Sequence, residues 1–443
     1  MVVGTRPQGL IKLIIAIAIP AIVTNITTPL LGLCDIAIAG HKGGAAFIAS
    51  LAVATSMFDM LYWLFGFLRM GASGLTAQAY GARNRHDEAL VLWRGLVIAL
   101  AMGVALIVVQ RPAARLILDI MGVDGATSAY AMRYFDIVVW GAPAMLSMYA
   151  LTGWFLGMQN TRVPMAVSIL ADVVNIAASV LLVFGAGLDI EGVAYGTLIA
   201  QWAAAVTSAC VCFCRFRPVR PGLGEVLRGD GIRRFFRVNT DIFLRTVCLV
   251  AVTMCFTRAG ALQGEEMLAV NALLMQLFTL FSYVMDGFAF SSEALAGRWV
   301  GERNAPMLRL TVRKELWIGL VMALIFTVLY FVFGDSLLRL LTTDRAVTDA
   351  AHDYLPWAVT IPLAGFMAFT CDGLMIGMSH TRAMLGSMLV AVAVFFGLYA
   401  LLFHRLGNHG LWVAFVAYLF VRGAVQVVVI RCNSRRWDRS LQS

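Results

Sequence analysis

Seven acidic residues interrupt apolar stretches of this 443-residue sequence, in places where a carboxylate would lie away from water: Asp35, Asp59, Asp172, Asp241, Asp286, Glu293 and Asp372. A charged side chain inside a membrane is costly, so such residues usually face the protein interior and mark ion or substrate pathways. Asp35 is the leading candidate because Pro20 and Pro29 precede it, and proline removes a backbone donor and kinks a helix. Because burial disfavours the charged form of a carboxyl group, we expect Asp35 to exchange a proton near neutral pH. The alternative is an acid at a span end that reaches interfacial water.

A second polar group follows in "SILADVVNIAASVLLVFG". Asp172 and Asn175 are three residues apart and share one helix face, and Ser179 follows one turn later. Together with Thr197 in the next apolar stretch, these side chains would line a polar pocket beside Asp35. The alternative is that they only tie neighbouring helices together by hydrogen bonds.

Two arginines inside apolar stretches need a counter-charge. Asp241 and Arg245 in "NTDIFLRT" are four residues apart, and we expect them to form an ion pair within one helix. For Arg69, Asp59 or another acid of the first half is the expected partner.

The remaining acids of the second half are polar candidates for either structural pairing or function. Asp286 and Glu293 are seven residues apart and therefore lie on one helix face. Asp372 precedes the motif "GLMIGM".

The composition determines which elements position these residues. Hydrophobic residues make up 60% of the sequence and charged residues 13%, and the mean hydropathy is +0.83. Soluble domains carry about 25% charged residues, and apolar runs of about 20 residues span a bilayer as helices. The short alternating segments of a membrane β-barrel are absent. We therefore predict an all-α polytopic membrane protein with twelve spans, at 10–38, 45–68, 92–110, 131–157, 164–184, 193–214, 236–258, 267–296, 315–334, 351–378, 384–403 and 410–430.

The basic residues predict the orientation. Most Lys and Arg residues fall on one side of the membrane if the N-terminus is cytoplasmic, and the segment 215–237 alone contains seven arginines. The protein is therefore expected in the inner (plasma) membrane with both termini in the cytoplasm. Topology and membrane lipids explain the net charge of +9 better than nucleic acid does. The first apolar run is too long for a cleavable signal peptide.

The sequence indicates no enzyme. Cys210, Cys212 and Cys214 form a C-x-C-x-C run that lacks the spacing of metal sites. No H-E-x-x-H, G-x-S-x-G or P-loop motif occurs. Without a nucleotide site, transport would depend on an ion gradient, so H⁺ or Na⁺ as coupling ion is expected and no other cofactor or metal.

An internal repeat divides the chain. "GWFLGMQNTR" at 153–162 recurs as "GLMIGMSHTR" at 373–382, and "GLTAQAYGARN" at 74–84 recurs as "ALAGRWVGERN" at 294–304, all with an offset of 220 residues. Six spans in each half predict two parallel-repeat lobes that rock against each other around a small-molecule substrate. The expected boundaries are an N-lobe at 1–214, a basic cytoplasmic linker at 215–235, and a C-lobe at 236–443 with a short basic tail.

Several segments together resemble one transporter family. "IPAIVTNITTPLLGLCDIAIAGH", "FLRMGASGLTAQAYGARN", "NTDIFLRT" and "LAVNALLMQLFTLFSYVMDGFAFSSEALAG" are similar to the multidrug and toxic-compound extrusion (MATE) family, and more narrowly to its DinF branch. The resemblance covers residues 10 to 430. It implies a secondary antiporter that exports organic, often cationic, compounds against a proton or sodium flow. It also implies that Asp35 is the ion-coupling acid, with Asn175 and Thr197 in the same polar cluster.

One position departs from the family pattern. The family commonly has a second acid where this sequence has Ser179, and Asp172, on the same helix face, is a candidate replacement. A hard cation needs several oxygen ligands, whereas a proton needs one tunable acid. Proton coupling is therefore favoured over sodium coupling.

Other functions stay open as alternatives. An organic-acid (citrate-like) exporter or a lipid-linked glycan flippase of the same superfamily would need cations facing its cavity. The three arginines within spans, Arg69, Arg245 and Arg422, are dispersed along the sequence, which disfavours the flippase. A membrane-embedded prenyl-chain transferase would need clustered Asp or His residues with a metal, and no such cluster occurs. A monomer is expected.

Overall fold

Long α-helices make up almost all of the chain that this computed structural model describes, residues 9–42, 45–122, 125–342 and 344–434, and no strand occurs in these ranges. The helices are α1 (Leu10–Lys42), α2 (Ala45–Leu64), α3 (Phe67–Gly81), α4 (Arg85–Val108), α5 (Gln110–Met121), α6 (Gly125–Val138), α7 (Ala142–Gly157), α8 (Arg162–Val180), α9 (Ile190–Val211), α10 (Leu223–Leu227), α11 (Asp230–Ala261), α12 (Glu265–Gly301), α13 (Ala305–Leu341), α14 (Arg345–His352), α15 (Leu355–Gly377), α16 (Thr381–Leu406) and α17 (Asn408–Ser434).

Within these ranges, twelve helical segments are long and apolar enough to cross a membrane: Leu10–Ile38, Phe47–Gly81, Arg85–Val108, Thr127–Gly157, Arg162–Gly185, Ile190–Phe216, Gly231–Ala261, Glu265–Gly301, Ala305–Leu341, Leu355–Gly377, Thr381–Leu406 and Asn408–Ser434. The backbone inside a bilayer must satisfy its own hydrogen bonds, which favours helices. The prediction of twelve spans is confirmed. Several spans are longer than predicted, and the second continues past the break at Phe65–Gly66 into α3.

The chain folds into two compact units. Residues up to Ile22 and from Thr240 onward form one unit, here called the C unit, and Val23–Asn239 form the other, here called the N unit. The sequence-based boundaries placed the whole first span in the N-lobe, whereas the division in the structure falls inside α1.

Helix α1 is continuous from Leu10 to Lys42 although it contains Pro20 and Pro29. The prolines therefore do not end the helix. Each proline still lacks the N–H that would bond the preceding turn, and the unit boundary lies two residues after Pro20. This helix supplies Asp35 to the N unit.

The basic segment after α9 is held on the N unit by hydrogen bonds. Arg94 of α4 is buried and donates to the carbonyl oxygens of Glu225 and Val226, at 3.0 and 3.1 Å. Trp93 donates its indole N–H to the carbonyl oxygen of Val219 at 3.3 Å. These bonds give the segment around α10 a defined position on this unit.

The repeated glycines form the same helix crossing in each unit. In the N unit, Gly157 of α7 packs against α3 at Ser73 and Thr76. In the C unit, Gly377 of α15 packs against α12 at Glu293 and at Ala296, the residue 220 positions after Thr76. A Cβ atom at either glycine would collide with the facing backbone, so only glycine permits this approach.

The turns after α3 and α12 also match. Arg83 and Arg303 both have a positive φ, 56° and 53°. Asn84 caps α4 by accepting from the backbone N–H of Asp87, and Asn304 caps α13 by accepting from that of Met307. The repeat predicted from the sequence thus extends to backbone geometry.

We expect Gly157→Ala and Gly377→Ala to destabilise the protein by roughly 1–3 kcal/mol each, because the added methyl group overpacks the helix crossing. Thermal unfolding of the purified protein in detergent, followed by tryptophan fluorescence, measures this change. Gly386→Ala is the matched control, because a Cβ atom there meets nothing within 4 Å. An unchanged midpoint for Gly377→Ala would show that the crossing is not tightly packed.

Candidate functional site

Asp35 of α1 is buried in the N unit, with 5% of its surface exposed. Its Oδ1 atom has no hydrogen-bond partner among the described residues. Its carboxyl group lies close enough to Asp172 of α8 for their charges to interact, and also close to the ring hydroxyl of Tyr134. The acid predicted from the sequence is therefore enclosed by protein.

Asp172 is the second carboxyl group of this site. It is half-buried, the hydroxyl group of Thr27 bonds its side chain, and its Oδ2 atom has no partner in the described ranges. No Lys or Arg among the described residues pairs with Asp35 or Asp172 in the structure. Two neighbouring carboxyl groups without a cation repel each other when both are ionised.

Neutral side chains form a hydrogen-bonded network beside these acids. The Asn175 amide donates to Thr197 Oγ1 at 3.2 Å, and the hydroxyl group of Ser179 donates to Asn175 Oδ1 at 3.2 Å. Thr197 donates its own proton to the carbonyl oxygen of Val193 at 3.1 Å. The hydroxyl group of Tyr134, 3.1 Å from Thr197 Oγ1, is therefore the donor of that contact.

The structure thus places Asn175, Thr197 and Ser179 in one network that Tyr134 joins, and Tyr134 also interacts electrostatically with Asp35. The Asn175 side chain thus bonds Thr197 and Ser179 rather than Asp35. Ser179 also packs directly against Gly196 of α9. A longer acidic side chain at position 179 would therefore have to displace α9. Tyr134 was not predicted as a site residue, although a hydroxyl group within the fourth span could have indicated it.

In the C unit, a different carboxyl group carries the charged network. Asp372 of α15 is buried, and its Oδ2 atom accepts hydrogen bonds from both Arg245 of α11 and Arg422 of α17. Gln426 donates to the other oxygen, Oδ1, at 2.6 Å. Arg422 also lies over the ring of Phe369, 5.8 Å from its centroid.

This network corrects the expected Asp241–Arg245 pair. Arg245 on α11 bonds Asp372 on α15. Asp241 instead accepts a hydrogen bond from the hydroxyl group of Thr381 at 2.6 Å. Side chains four residues apart share a helix face, but Arg245 reaches the buried carboxylate on α15 and Thr381 bonds Asp241. Arg245 and Arg422, although dispersed along the sequence, therefore meet at Asp372.

The other candidates have less definite roles. Glu293 is buried, with 2% of its surface exposed, and Asp286 is half-buried. Asp59 is exposed, and Tyr149 interacts electrostatically with both Asp59 and Arg69. A functional role for these acids and an Arg69–Asp59 pair stay predictions.

Glu315 is a buried acid that the sequence analysis missed. It lies in α13 with 1% of its surface exposed, and its Oε1 atom is 2.8 Å from the hydroxyl group of Ser291. The predicted span began at residue 315, and Glu315 was not among the predicted site residues. The helix actually begins at Ala305, which places Glu315 almost three turns inside it.

The comparisons with known proteins identify the family. The MatE family model matches residues 20–181 and 242–399, one match in each half of the chain. "DNA damage-inducible protein F" of Escherichia coli is 36% identical over 95% of this chain and 91% of its own length. "Probable multidrug resistance protein NorM" of Acinetobacter baylyi is 23% identical over 94% of this chain and 95% of its own length.

Solved structures support the same fold. A "Crystal structure of MATE in the bent conformation" matches 99% of this chain and all of its own chain, with a TM-score of 0.86 and 20% identity. The chain therefore belongs to the MatE family, whose members are membrane transporters rather than enzymes. It is a multi-pass membrane protein.

The two buried acids should differ in their effect on stability. We expect Asp372→Asn to destabilise the protein by about 3–5 kcal/mol, because it leaves two buried guanidinium groups without a counter-charge. The isosteric change Asp35→Asn removes a carboxyl group that has no cationic partner in the described part of the chain, so its unfolding midpoint should stay close to that of the wild type. Thermal unfolding in detergent compares the two variants. Equal losses would contradict the distinction between a structural and a functional acid.

Proposed function

We propose that this MatE-family transporter is an antiporter that exports organic, cationic or amphipathic compounds in exchange for protons, with Asp35 as the coupling acid. The observation that carries the proposal is the pair formed by buried Asp35 and half-buried Asp172, which has no cationic partner among the described residues and retains two carboxylate oxygens without hydrogen bonds. The names of the NorM relatives, multidrug resistance proteins, support an exported drug-like substrate.

The hydrogen-bond network favours a proton over sodium. Thr197, Asn175 and Ser179 already use their polar atoms on one another or on the backbone. A hard cation would need several oxygen ligands at once, and binding one here would require this network to break. A proton needs only one of the oxygens that lack a partner, Asp35 Oδ1 or Asp172 Oδ2.

The proposed mechanism couples charge to substrate affinity. Ionised Asp35 attracts a cationic substrate, and a proton arriving from outside removes that charge and weakens substrate binding. The substrate then leaves to the outside, and Asp35 releases its proton to the cytoplasm after the site has changed its access. Because coupling between two ligands is reciprocal, bound substrate must disfavour the proton to the same degree.

The same proposal includes the inner (plasma) membrane as location, with both termini in the cytoplasm. The bacterial relatives support this membrane, and the distribution of Lys and Arg supports the orientation. We also propose that the transporter functions as a monomer.

An organic-acid exporter is the second candidate, and the C unit supplies the observation that favours it. Two guanidinium groups, of Arg245 and Arg422, meet one carboxylate, and the Nε atoms of both lack partners in the described part of the chain. A carboxylate substrate would have to reach these Nε–H donors. The Nη2 atoms of the same two arginines are already bonded to Asp372. A flippase gains less support, because its pyrophosphate substrate needs more cations.

We expect Asp35→Asn to reduce substrate efflux in proteoliposomes to the rate of protein-free liposomes, because the amide cannot bind and release a proton. The assay imposes a proton gradient or a sodium gradient separately and uses a cationic dye or citrate as substrate. Asp119→Asn, at an exposed acid of the same unit near the end of α5, is the control and should transport normally.

Three results of this assay would contradict parts of the proposal. Proton-driven efflux by Asp35→Asn would exclude Asp35 as the coupling acid. Dye efflux by the wild type under a sodium gradient alone would establish sodium coupling. Export of citrate but not of the dye would establish the second candidate function.

A further inference from the structure

An apolar groove of about 1040 Å³ lies in the C unit, away from the carboxyl groups described above. It is formed where the start of α1, the start of α13 and the end of α17 come together beside α15. Its wall includes Trp317, Leu320 and Phe366, and the first two of these side chains are exposed. The transport mechanism proposed above uses none of these residues.

The rim of this groove is basic. Arg309, Arg313 and Lys314 from the first turns of α13 and Arg431 near the end of α17 line it, and no acidic residue of the described ranges does. Arg309 donates to the carbonyl oxygen of Ser434 at 3.4 Å. Arg313, Lys314 and Arg431 form no ion pair with any residue in the described ranges. The groove thus combines basic side chains at its rim with an apolar wall.

This combination selects the kind of occupant. A free phosphate ion would satisfy the rim but would leave the apolar wall exposed to water. The chain's own end beyond Ser434 contains Arg435, Arg436 and Arg439 against the single acid Asp438. That segment would add positive charge to a basic rim, so it is a poor complement. A molecule with an anionic head and an apolar chain complements both parts, and basic pockets between helix ends hold such lipid head groups.

We propose that this groove binds an anionic phospholipid. Its phosphoryl group contacts Arg313, Lys314 and Arg431, and an acyl chain lies along Trp317, Leu320 and Phe366. The proposal rests on charge and shape complementarity within the C unit and is independent of the coupling ion.

Quenching of Trp317 fluorescence by brominated lipid tests the proposal. The full-length protein is reconstituted in vesicles of phosphatidylcholine and phosphatidylglycerol, with bromine on the acyl chains of one lipid at a time. The fluorescence of Trp317 is obtained by subtracting the emission of the Trp317→Phe variant from that of the wild type. We expect brominated phosphatidylglycerol at low mole fraction to quench this fluorescence more strongly than brominated phosphatidylcholine at the same fraction.

Two sets of variants locate the site. Arg313→Gln and Arg431→Gln should each weaken the preference for phosphatidylglycerol about fivefold. Arg382→Gln is the matched control, because this exposed arginine at the start of α16 does not line the groove. Removal of residues 435–443 should leave the preference unchanged.

Each opposite outcome overturns the proposal. Equal quenching by the two lipids would show that the groove does not select an anionic head group. An equal loss in Arg382→Gln would indicate diffuse attraction of the lipid by the whole surface. Stronger quenching after removal of residues 435–443 would identify the chain's own end as the occupant. The readout is lipid binding, so none of these outcomes bears on the proposed transport activity.

Discussion

A carboxyl group placed inside a membrane must either be neutralised by a cation or exist without its charge, and the two units of this protein meet that constraint differently. In the C unit, Asp372 is held by Arg245, Arg422 and Gln426, so its charge is permanently compensated. In the N unit, Asp35 and Asp172 have no such cation among the described residues. A permanently paired carboxylate stabilises a fold, whereas an unpaired buried one changes its surroundings whenever a proton arrives or leaves.

The two units build these different sites on one scaffold. Gly157 and Gly377 bring equivalent helices into the same close contact, and Asn84 and Asn304 cap equivalent helices. The backbone of the repeat is therefore fixed by positions where only small or capping residues fit. The positions of charged residues are not restricted to small or capping residues in this way. For example, the counterpart of Asp372, 220 residues earlier, is Thr152. The duplicated fold thus leaves each unit free to carry its own chemistry.

The neutral network beside Asp35 also explains the departure at position 179. Ser179 fits against Gly196 and completes the hydrogen bonding of Asn175, which in turn bonds Thr197. A second acid therefore has no room at that position as the helices are packed. Asp172, whose side chain bonds Thr27, brings a carboxyl group to the site from a half-buried position on the same helix.

The sequence by itself determined the features that depend on local pattern. Runs of about 20 apolar residues predicted the twelve spans, the 220-residue offset predicted the repeat, and the buried location of Asp35 followed from its place in an apolar run. These features are readable because helical length and periodicity are properties of neighbouring residues.

Only the tertiary structure decided which distant side chains meet. Arg245 bonds Asp372, 127 residues away, instead of Asp241 on its own helix. Glu315 is buried because α13 begins ten residues before it, and the division between units falls inside α1. Such outcomes depend on how each helix is rotated and packed against residues far away in the chain, and a single sequence does not contain that information in its local pattern.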